Sequence, residues 1–168
     1  KEHLAVMDQL RQSVNLRAVG QKNPVQEYKR ESFAMFTELL ETINIEQIQV
    51  MLNLLINLKE TKGRLFILGV GGGAGHASHA VNDFRKICGI EAYAPTDNVS
   101  ELTARINDDG WDTAYLNWLK GSNLVNEDVI LVFSVGGGSL EKEISVNIVN
   151  SLQYAKELGA KICGVVGR

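Results

Sequence analysis

Two stretches decide the fold of this chain: Leu65-Phe-Ile-Leu-Gly-Val-Gly-Gly-Gly-Ala-Gly75 and Val129-Ile-Leu-Val-Phe-Ser-Val-Gly-Gly-Gly-Ser139. In each, an apolar run ends in glycines and is followed by a helical pattern. A strand, a glycine turn and a helix in that order leave backbone N–H groups free at the helix N-terminus, where the helix dipole adds partial positive charge. Two such loops predict one anionic ligand, held between the ends of two parallel strands.

The sequence from residue 64 onward alternates strand and helix patterns. Strands are predicted at Leu65–Leu68, Ile90–Ala94, Val129–Ser134 and Ile162–Val166. Helices are predicted at about Ala74–Lys86, Val99–Asp108, Thr113–Gly121 and Leu140–Leu158. Nearly continuous apolar strands separated by helices predict a parallel sheet covered on both faces, which is a three-layer αβα sandwich.

The first sixty or so residues contain helical patterns and no strand pattern. Apolar stripes run along Glu2–Leu16, along the segment that begins at Pro24, and along Ile48–Leu58. We therefore expect a helical N-terminal arm over residues 1–62 and an α/β domain over residues 63–168. Because the chain stops directly after a strand and its glycine turn, we expect that domain to be incomplete at its C-terminus.

The length, charge and composition of the chain exclude several classes of protein. With 168 residues and a formal net charge of −3, the chain fits one domain and has no cluster of Lys and Arg for nucleic acid. No apolar run approaches the ~20 residues that span a bilayer. The charged N-terminus is unlike a signal peptide, and Cys88 and Cys163 lack metal-ligand spacing, so both are interpreted as reduced core residues. We expect a cytoplasmic protein that binds neither nucleic acid nor membrane.

The helix after the first glycine loop carries His76, His79 and Asp83 on one face. His79 and Asp83 are four residues apart, a spacing that lets an imidazole and a carboxylate reach one metal ion or one substrate. The alternative is an exposed polar face with a helical ion pair.

The loops leave several interpretations open. Gly69–Ala74 matches the dinucleotide pattern G-x-G-x-x-G/A, but Glu91, at the spacing of the expected acid, falls at the start of the second strand. A dinucleotide fold and plain helix-on-strand packing remain alternatives. Asp97 either caps the next helix or faces a ligand, and Asn107–Gly110 is typical of a turn. Ser139 fits an N-cap, a ligand contact, or both.

At these loops the sequence resembles the sugar isomerase (SIS) domain family, most closely its phosphoheptose isomerases, from about residue 30 to the end. The family's glycine loop and the following helix with the pattern D-A-x-H-x-x-x-E correspond to Gly69–Asp83, so its metal-binding His falls on His79 and its catalytic Glu on Asp83. The strand-end aspartate falls on Asp97 and the N-D-x-G turn on Asn107–Gly110. The S-T-S-G-N-S loop falls on Ser134–Ser139.

The resemblance implies interconversion of sedoheptulose 7-phosphate and a heptose 7-phosphate through an enediol. It implies Asp83 as base and His79 as a zinc ligand or polarising group, with Asp83 and His76 as further candidate metal ligands. It also implies a homo-oligomer, commonly a tetramer, and no nucleotide cofactor. The residues that would bind the sugar phosphate are Gly71, Gly72, Gly73, Asp97, Ser134, Gly136, Gly137, Gly138 and Ser139.

The chain departs from the family pattern at the phosphate loops. Val70 replaces Asn, Gly73 replaces Ser, and Val135 and Gly136 replace Thr and Ser. Hydroxyl donors are thereby reduced to Ser134 and Ser139. This reduction favours an alternative function, a non-catalytic SIS protein that binds a sugar phosphate as a sensor or binds a protein such as a replication initiator.

Overall fold

The structure, a computed structural model, describes residues 2–14, 23–41 and 43–167. The helices are α1 (Glu2–Ser13), α2 (Pro24–Glu41), α3 (Ile45–Thr61), α4 (Gly72–Asp83), α5 (Val99–Asp109), α6 (Trp111–Gly121) and α7 (Val146–Leu158). The strands are β1 (Leu65–Gly69), β2 (Ala92–Tyr93), β3 (Val129–Ser134) and β4 (Lys161–Val166). Lys1, Leu16 and Arg168, which belong to predicted segments, lie outside the described residues.

The four strands form one parallel sheet in the order β2-β1-β3-β4. All five residues of β1 pair with β3, whereas only Leu65 and Phe66 pair with β2. The prediction that β2 runs over Ile90–Ala94 was too long, because β2 has a ladder partner on one side only and that ladder ends after two pairs. The predicted α/β fold with a central parallel sheet is confirmed.

Alternate side chains of β1 pack into two separate cores. Leu65 and Ile67 join a cluster with Leu58 of α3 and with Ala77 and Val81 of α4. The other side chains, Phe66 and Leu68, join a second cluster built from α6, α7 and the apolar face of α5. Since strand side chains alternate between the faces of a sheet, α4 and the part of α3 from Met51 onward cover one face and α5, α6 and α7 cover the other, which gives the three predicted layers.

The N-terminal residues are organised separately. By their internal contacts the residues divide into two compact units, Lys1–Val50 and Met51–Arg168. In the first unit α1 packs against α2, and α2 begins at Pro24 as the sequence predicts. The division lies inside α3, and the boundary predicted at residues 62 and 63 stays a prediction. Among the residues described, no helix combines the length and apolarity that a bilayer crossing needs.

Several helix boundaries differ from the prediction, among them that of α6, which begins at Trp111 rather than Thr113. The first glycine helix begins earlier than Ala74, at Gly72, and after Asp83 it continues as a single π-helical turn over Phe84–Cys88. The helix predicted from Leu140 begins only at Val146. Ser139 and Ile144 exchange two backbone hydrogen bonds of 2.9 Å, which close residues 139–144 into a turn and delay the helix.

An ion pair between Arg64 and the buried carboxylate of Asp128 connects the start of β1 to the start of β3. Asp128 is 1% exposed, and its carboxylate accepts the Arg64 backbone N–H and Nε–H, both at 3.1 Å, and a further guanidinium N–H at 2.7 Å. The backbone N–H of Val125 donates to the same carboxylate at 3.0 Å. The side-chain hydrogen bonds to Asp128 raise the pKa of the Arg64 guanidinium above its usual value, since they stabilise the charged form.

Candidate active site

The two glycine loops meet at the point where the order of the strands along the sheet reverses. From β1 the chain crosses through α4 to β2, and from β3 it crosses through α7 to β4 on the other side. Because α4 and α7 cover opposite faces, the carboxyl ends of β1 and β3 form a topological switch point, where open α/β sheets bind their ligands. The structure therefore brings the two predicted loops together.

Glycine lets α4 approach the sheet closely at this point. A Cβ on Gly73 would lie 2.5 Å from the backbone oxygen of Phe133, and one on Gly69 would overlap the backbone of Gly73. Gly71 has φ of +57° and immediately precedes α4, a conformation that glycine adopts with little strain. By contrast, a Cβ on Gly72 would meet nothing within 4 Å, so packing alone does not require glycine there.

The predicted pair of His79 and Asp83 is formed. Nε2 of His79 lies 3.3 Å from Oδ2 of Asp83, and the side chains are 78% and 45% exposed, respectively. Both groups are thus open to a ligand. His76 instead directs its ring toward Phe133, with 6.4 Å between ring centroids, next to the second glycine loop.

The described residues do not complete a metal site. In the part of the chain that the structure covers, no three His, Cys, Asp or Glu side chains are grouped so that they could hold a metal ion. Zinc is usually four-coordinate in proteins, and the pair of His79 and Asp83 provides two donors. The residues present therefore do not by themselves fit zinc.

Asp97 is hydrogen-bonded to Ser78, in the middle of α4. The hydroxyl of Ser78 donates to Oδ1 of Asp97 at 2.6 Å and lies 3.3 Å from the hydroxyl oxygen of Thr96. The interpretation of Asp97 as a helix cap is wrong, because the cap of α5 is Asn98, whose Oδ1 accepts the backbone N–H of Glu101 at 3.2 Å. Asp97 thus connects the end of β2 to the residue that precedes His79.

Both hydroxyls of the second loop have partners within the loop or the adjoining turn. Ser134 donates to the backbone oxygen of Gly137 at 3.2 Å, and Oγ of Ser139 accepts the backbone N–H of Lys142 at 3.2 Å. Ser139 is not a helix cap, since Ser145 precedes α7 and makes no side-chain capping bond. A ligand that takes these hydroxyls would compete with bonds already made.

An apolar cavity of about 490 Å³ borders the second loop on the side of α7 and β4. It is lined by Ser134, Gly137 and Gly138 and by apolar side chains of α7 and β4. Cys163 also lines it, and burial raises the pKa of this thiol. The cavity is not lined by His79 or Asp83.

The first loop is anchored from the opposite face of the sheet. Tyr115 of α6 is fully buried and donates its hydroxyl to the backbone oxygen of Gly69 at 2.8 Å. Burial raises the pKa of Tyr115 to about 12, because the phenolate would lose hydration.

Asn147, in the first turn of α7, was missed by the sequence analysis. It is fully buried, and its Nδ2 has no hydrogen-bond partner among the described residues. The helical spacing of the sequence could have indicated that Asn147 is buried, since it lies in the same buried stripe as Ile148, Ser151 and Ala155. A polar residue in such a stripe is informative because it needs a partner.

Comparison with known proteins gives different relatives for the two parts of the chain. Residues 1–55 match the family model described as SecA Wing and Scaffold domain. Over 57 residues the chain is 72% identical to the protein translocase subunit SecA of Vesicomyosocius okutanii and 65% identical to that of Ruthia magnifica. The chain spans about 6% of the length of these relatives. The match largely coincides with the first compact unit, and the motifs described above did not indicate it.

Most of the chain is similar in fold to solved structures of phosphoheptose isomerases. A phosphoheptose isomerase of Neisseria gonorrhoeae superposes with a TM-score of 0.69 at 23% identity, over 86% of this chain and 73% of that one. A phosphoheptose isomerase of Francisella tularensis gives 0.70 at 20% identity, with the same coverage. The predicted resemblance is confirmed at the level of the fold: this chain has the α/β fold of these two phosphoheptose isomerases.

Proposed function

We propose that the chain is a phosphosugar isomerase, which interconverts sedoheptulose 7-phosphate and a heptose 7-phosphate. The observation that carries the proposal is the exposed pair of His79 and Asp83 on α4, the helix that follows the first glycine loop at the switch point. The similarity in fold to phosphoheptose isomerases supports the choice of substrate.

Asp83 is proposed as the base. The carboxylate removes a proton from C1 of the ketose, the electron pair of that C–H bond forms the C1–C2 double bond, and the C2 oxygen takes up a proton to complete the enediol. The same proton is then returned to C2 while the C1 hydroxyl loses its own, which leaves an aldehyde at C1. His79, 3.3 Å from Asp83, stabilises the negative charge that develops on the substrate oxygen.

The phosphate is proposed to bind at the two glycine loops. At the start of α4, the backbone N–H groups of Gly71 and Gly72 are proposed to bind the anion as helix N-termini do, whereas the N–H of Gly73 already donates to the backbone oxygen of Val70 at 3.0 Å. The second loop adds the backbone of Gly136–Gly138 and the hydroxyls of Ser134 and Ser139. Asp97 is proposed to face the sugar, in addition to its bond with Ser78.

Two further expectations belong to this proposal. Zinc bound by His79 and Asp83 would need additional ligands. Measuring the activity with and without a chelator tests whether activity depends on the metal. A homotetramer is proposed by analogy with the family, and the mass of the purified protein in solution tests that.

The decisive experiment compares Asp83→Asn with Asp112→Asn, which removes a carboxylate at the exposed start of α6. Asp83→Asn keeps the shape of the side chain and removes the base, so kcat for sedoheptulose 7-phosphate should fall at least about a hundredfold. Asp112→Asn should leave kcat unchanged. Equal activity of both variants would show that Asp83 is not the base.

A non-catalytic binding protein is the second candidate. It is favoured by the reduced number of loop hydroxyls and by the bonds that engage Ser134 and Ser139. A wild-type protein that binds sedoheptulose 7-phosphate in calorimetry and yields no heptose 7-phosphate would establish this function instead.

A further inference from the structure

The apolar cavity between α7 and β4 has no part in the proposed chemistry. Its volume of about 490 Å³ lies within the range of about 300–1,000 Å³ that is usual for small-molecule sites. Neither His79 nor Asp83 lines it, and its walls are mainly apolar. A sugar phosphate, whose hydroxyls need polar partners, therefore does not match this cavity.

A glycine in the edge strand β4 makes room for the cavity. Ile162, Gly164 and Val166 alternate along β4 and line the cavity from the same face of the sheet. Gly164 pairs with Val132 of β3, and a Cβ on Gly164 would lie 3.0 Å from the backbone oxygen of Val132. The position therefore tolerates a side chain poorly, and the glycine leaves a gap between Ile162 and Val166.

One face of α7 forms the opposite wall. Val149, Leu152, Gln153 and Lys156 line the cavity, and their spacing of three or four residues places them on one side of the helix. From Val149 to Lys156 the helix rises about 10 Å, at 1.5 Å per residue. The cavity is thus long enough for an extended chain of several carbon atoms.

The charge on the cavity has one sign and lies at one end. Among the described residues that line the cavity, Lys156 is the only charged one, and none is Asp or Glu. Lys156 is exposed in the last turn of α7, and Gln153, one turn earlier, adds an amide donor on the same wall. At the other end the hydroxyl of Ser134 already donates to the backbone oxygen of Gly137. The complement of this cavity is an apolar body with one negative group.

We propose that the cavity binds an unbranched monocarboxylate of medium chain length, with its apolar chain between α7 and β4 and its carboxylate at the ammonium group of Lys156. The chain would cover Leu152, Ile162 and Val166, which the edge position of β4 leaves accessible. The carboxylate stays at the rim, where water continues to solvate it. The site is separate from His79 and Asp83, so this inference does not rest on the proposed function.

Calorimetric titration of the whole protein with octanoate tests the proposal. Hexanoate should bind about fifteenfold more weakly than octanoate, because each buried CH₂ group contributes about fourfold in Kd. 1-Octanol, which lacks the carboxylate, should bind about fivefold more weakly, as expected for loss of one ion pair at an exposed rim.

Two variants locate the site. Lys156→Met keeps the apolar stem and removes the charge, so it should weaken octanoate binding about fivefold and abolish its dependence on ionic strength. Lys59→Met is the matched control, since Lys59 is likewise a basic residue in the last turn of its helix, and it should bind as the wild type does. Ile162→Trp, at a side chain that is 40% exposed, should fill the cavity and weaken binding at least tenfold while the circular dichroism spectrum stays unchanged.

Three results would overturn the proposal. They are a Kd of the wild type for octanoate above about 1 mM, equal binding of octanoate and 1-octanol, and equal binding by Lys156→Met and the wild type. Each of them would leave the proposed isomerase function intact, because that function is measured with sedoheptulose 7-phosphate in the absence of octanoate.

Discussion

Removal of the Asp128 carboxylate should destabilise the protein more than loss of any exposed ion pair. In Asp128→Ala, the Arg64 guanidinium would keep the backbone oxygens of Ser122 and Asn123 as acceptors, at 2.9 and 2.8 Å, but would lose its counter-charge. The backbone N–H groups of Arg64 and Val125 would lose their acceptor as well.

The magnitude follows from the burial of the pair. Removing one partner of a buried ion pair costs about 3–5 kcal/mol. The Arg64 side chain is 26% exposed, so water can partly replace the lost carboxylate, and we expect about 3 kcal/mol. For a chain of this size that corresponds to a fall in Tm of roughly 6–12 °C.

Urea unfolding followed by circular dichroism measures this loss, with Asp112→Asn as the control carboxylate. Asp128→Asn, which keeps the shape and one acceptor, should lose less than Asp128→Ala. A loss below about 1 kcal/mol in Asp128→Ala would refute the reasoning, because it would mean that the pair contributes no more than an exposed one.

Three further predictions concern titration, binding and assembly. The pKa of Tyr115 is raised from about 10 in the unfolded chain to about 12 in the folded protein, so the contribution of this group to stability should be constant below about pH 10 and should decline by up to about 1.4 kcal/mol per pH unit between about pH 10 and 12. Tyr115→Phe should remove that decline, and urea midpoints that fall equally in both proteins would contradict it. Ser139→Ala should raise KM for sedoheptulose 7-phosphate by roughly tenfold, equivalent to about 1.4 kcal/mol, whereas Ser100→Ala on exposed α5 should not. Deletion of residues 1–42 should reduce the oligomer measured by light scattering, because α2 exposes apolar side chains such as Phe33 and Phe36, 72% and 50% exposed; an unchanged oligomer would count against this.

The sequence was sufficient for the α/β core because its strands are continuous apolar runs that end in glycine. Leu65 and Val129 begin strands as predicted, and those runs have no competing helical pattern. The pair of His79 and Asp83 was predictable for a similar reason, since helical spacing alone places both side chains on one face.

Features that depend on tertiary contacts were not predictable. A helix was predicted from Leu140, with Ser139 as its possible N-cap, but the backbone bonds between Ser139 and Ile144 close a turn instead. Asp97 fits a capping pattern, and only the fold brings it to Ser78. Asn147 belongs to the helical stripe of α7, but burial of its amide depends on how α7 packs.

The π-helical turn at Phe84–Cys88 has a consequence for how the chain tolerates changes in length. Such a turn closes its hydrogen bonds over five residues rather than four, so it takes up one extra residue without breaking the helix. It begins directly after Asp83 and ends at Gly89, which has φ of +65°. A deletion or insertion of one residue within this turn would change the approach to β2 and leave the register of His79 and Asp83 against the sheet intact. A change in chain length immediately beyond the paired side chains therefore need not alter their positions.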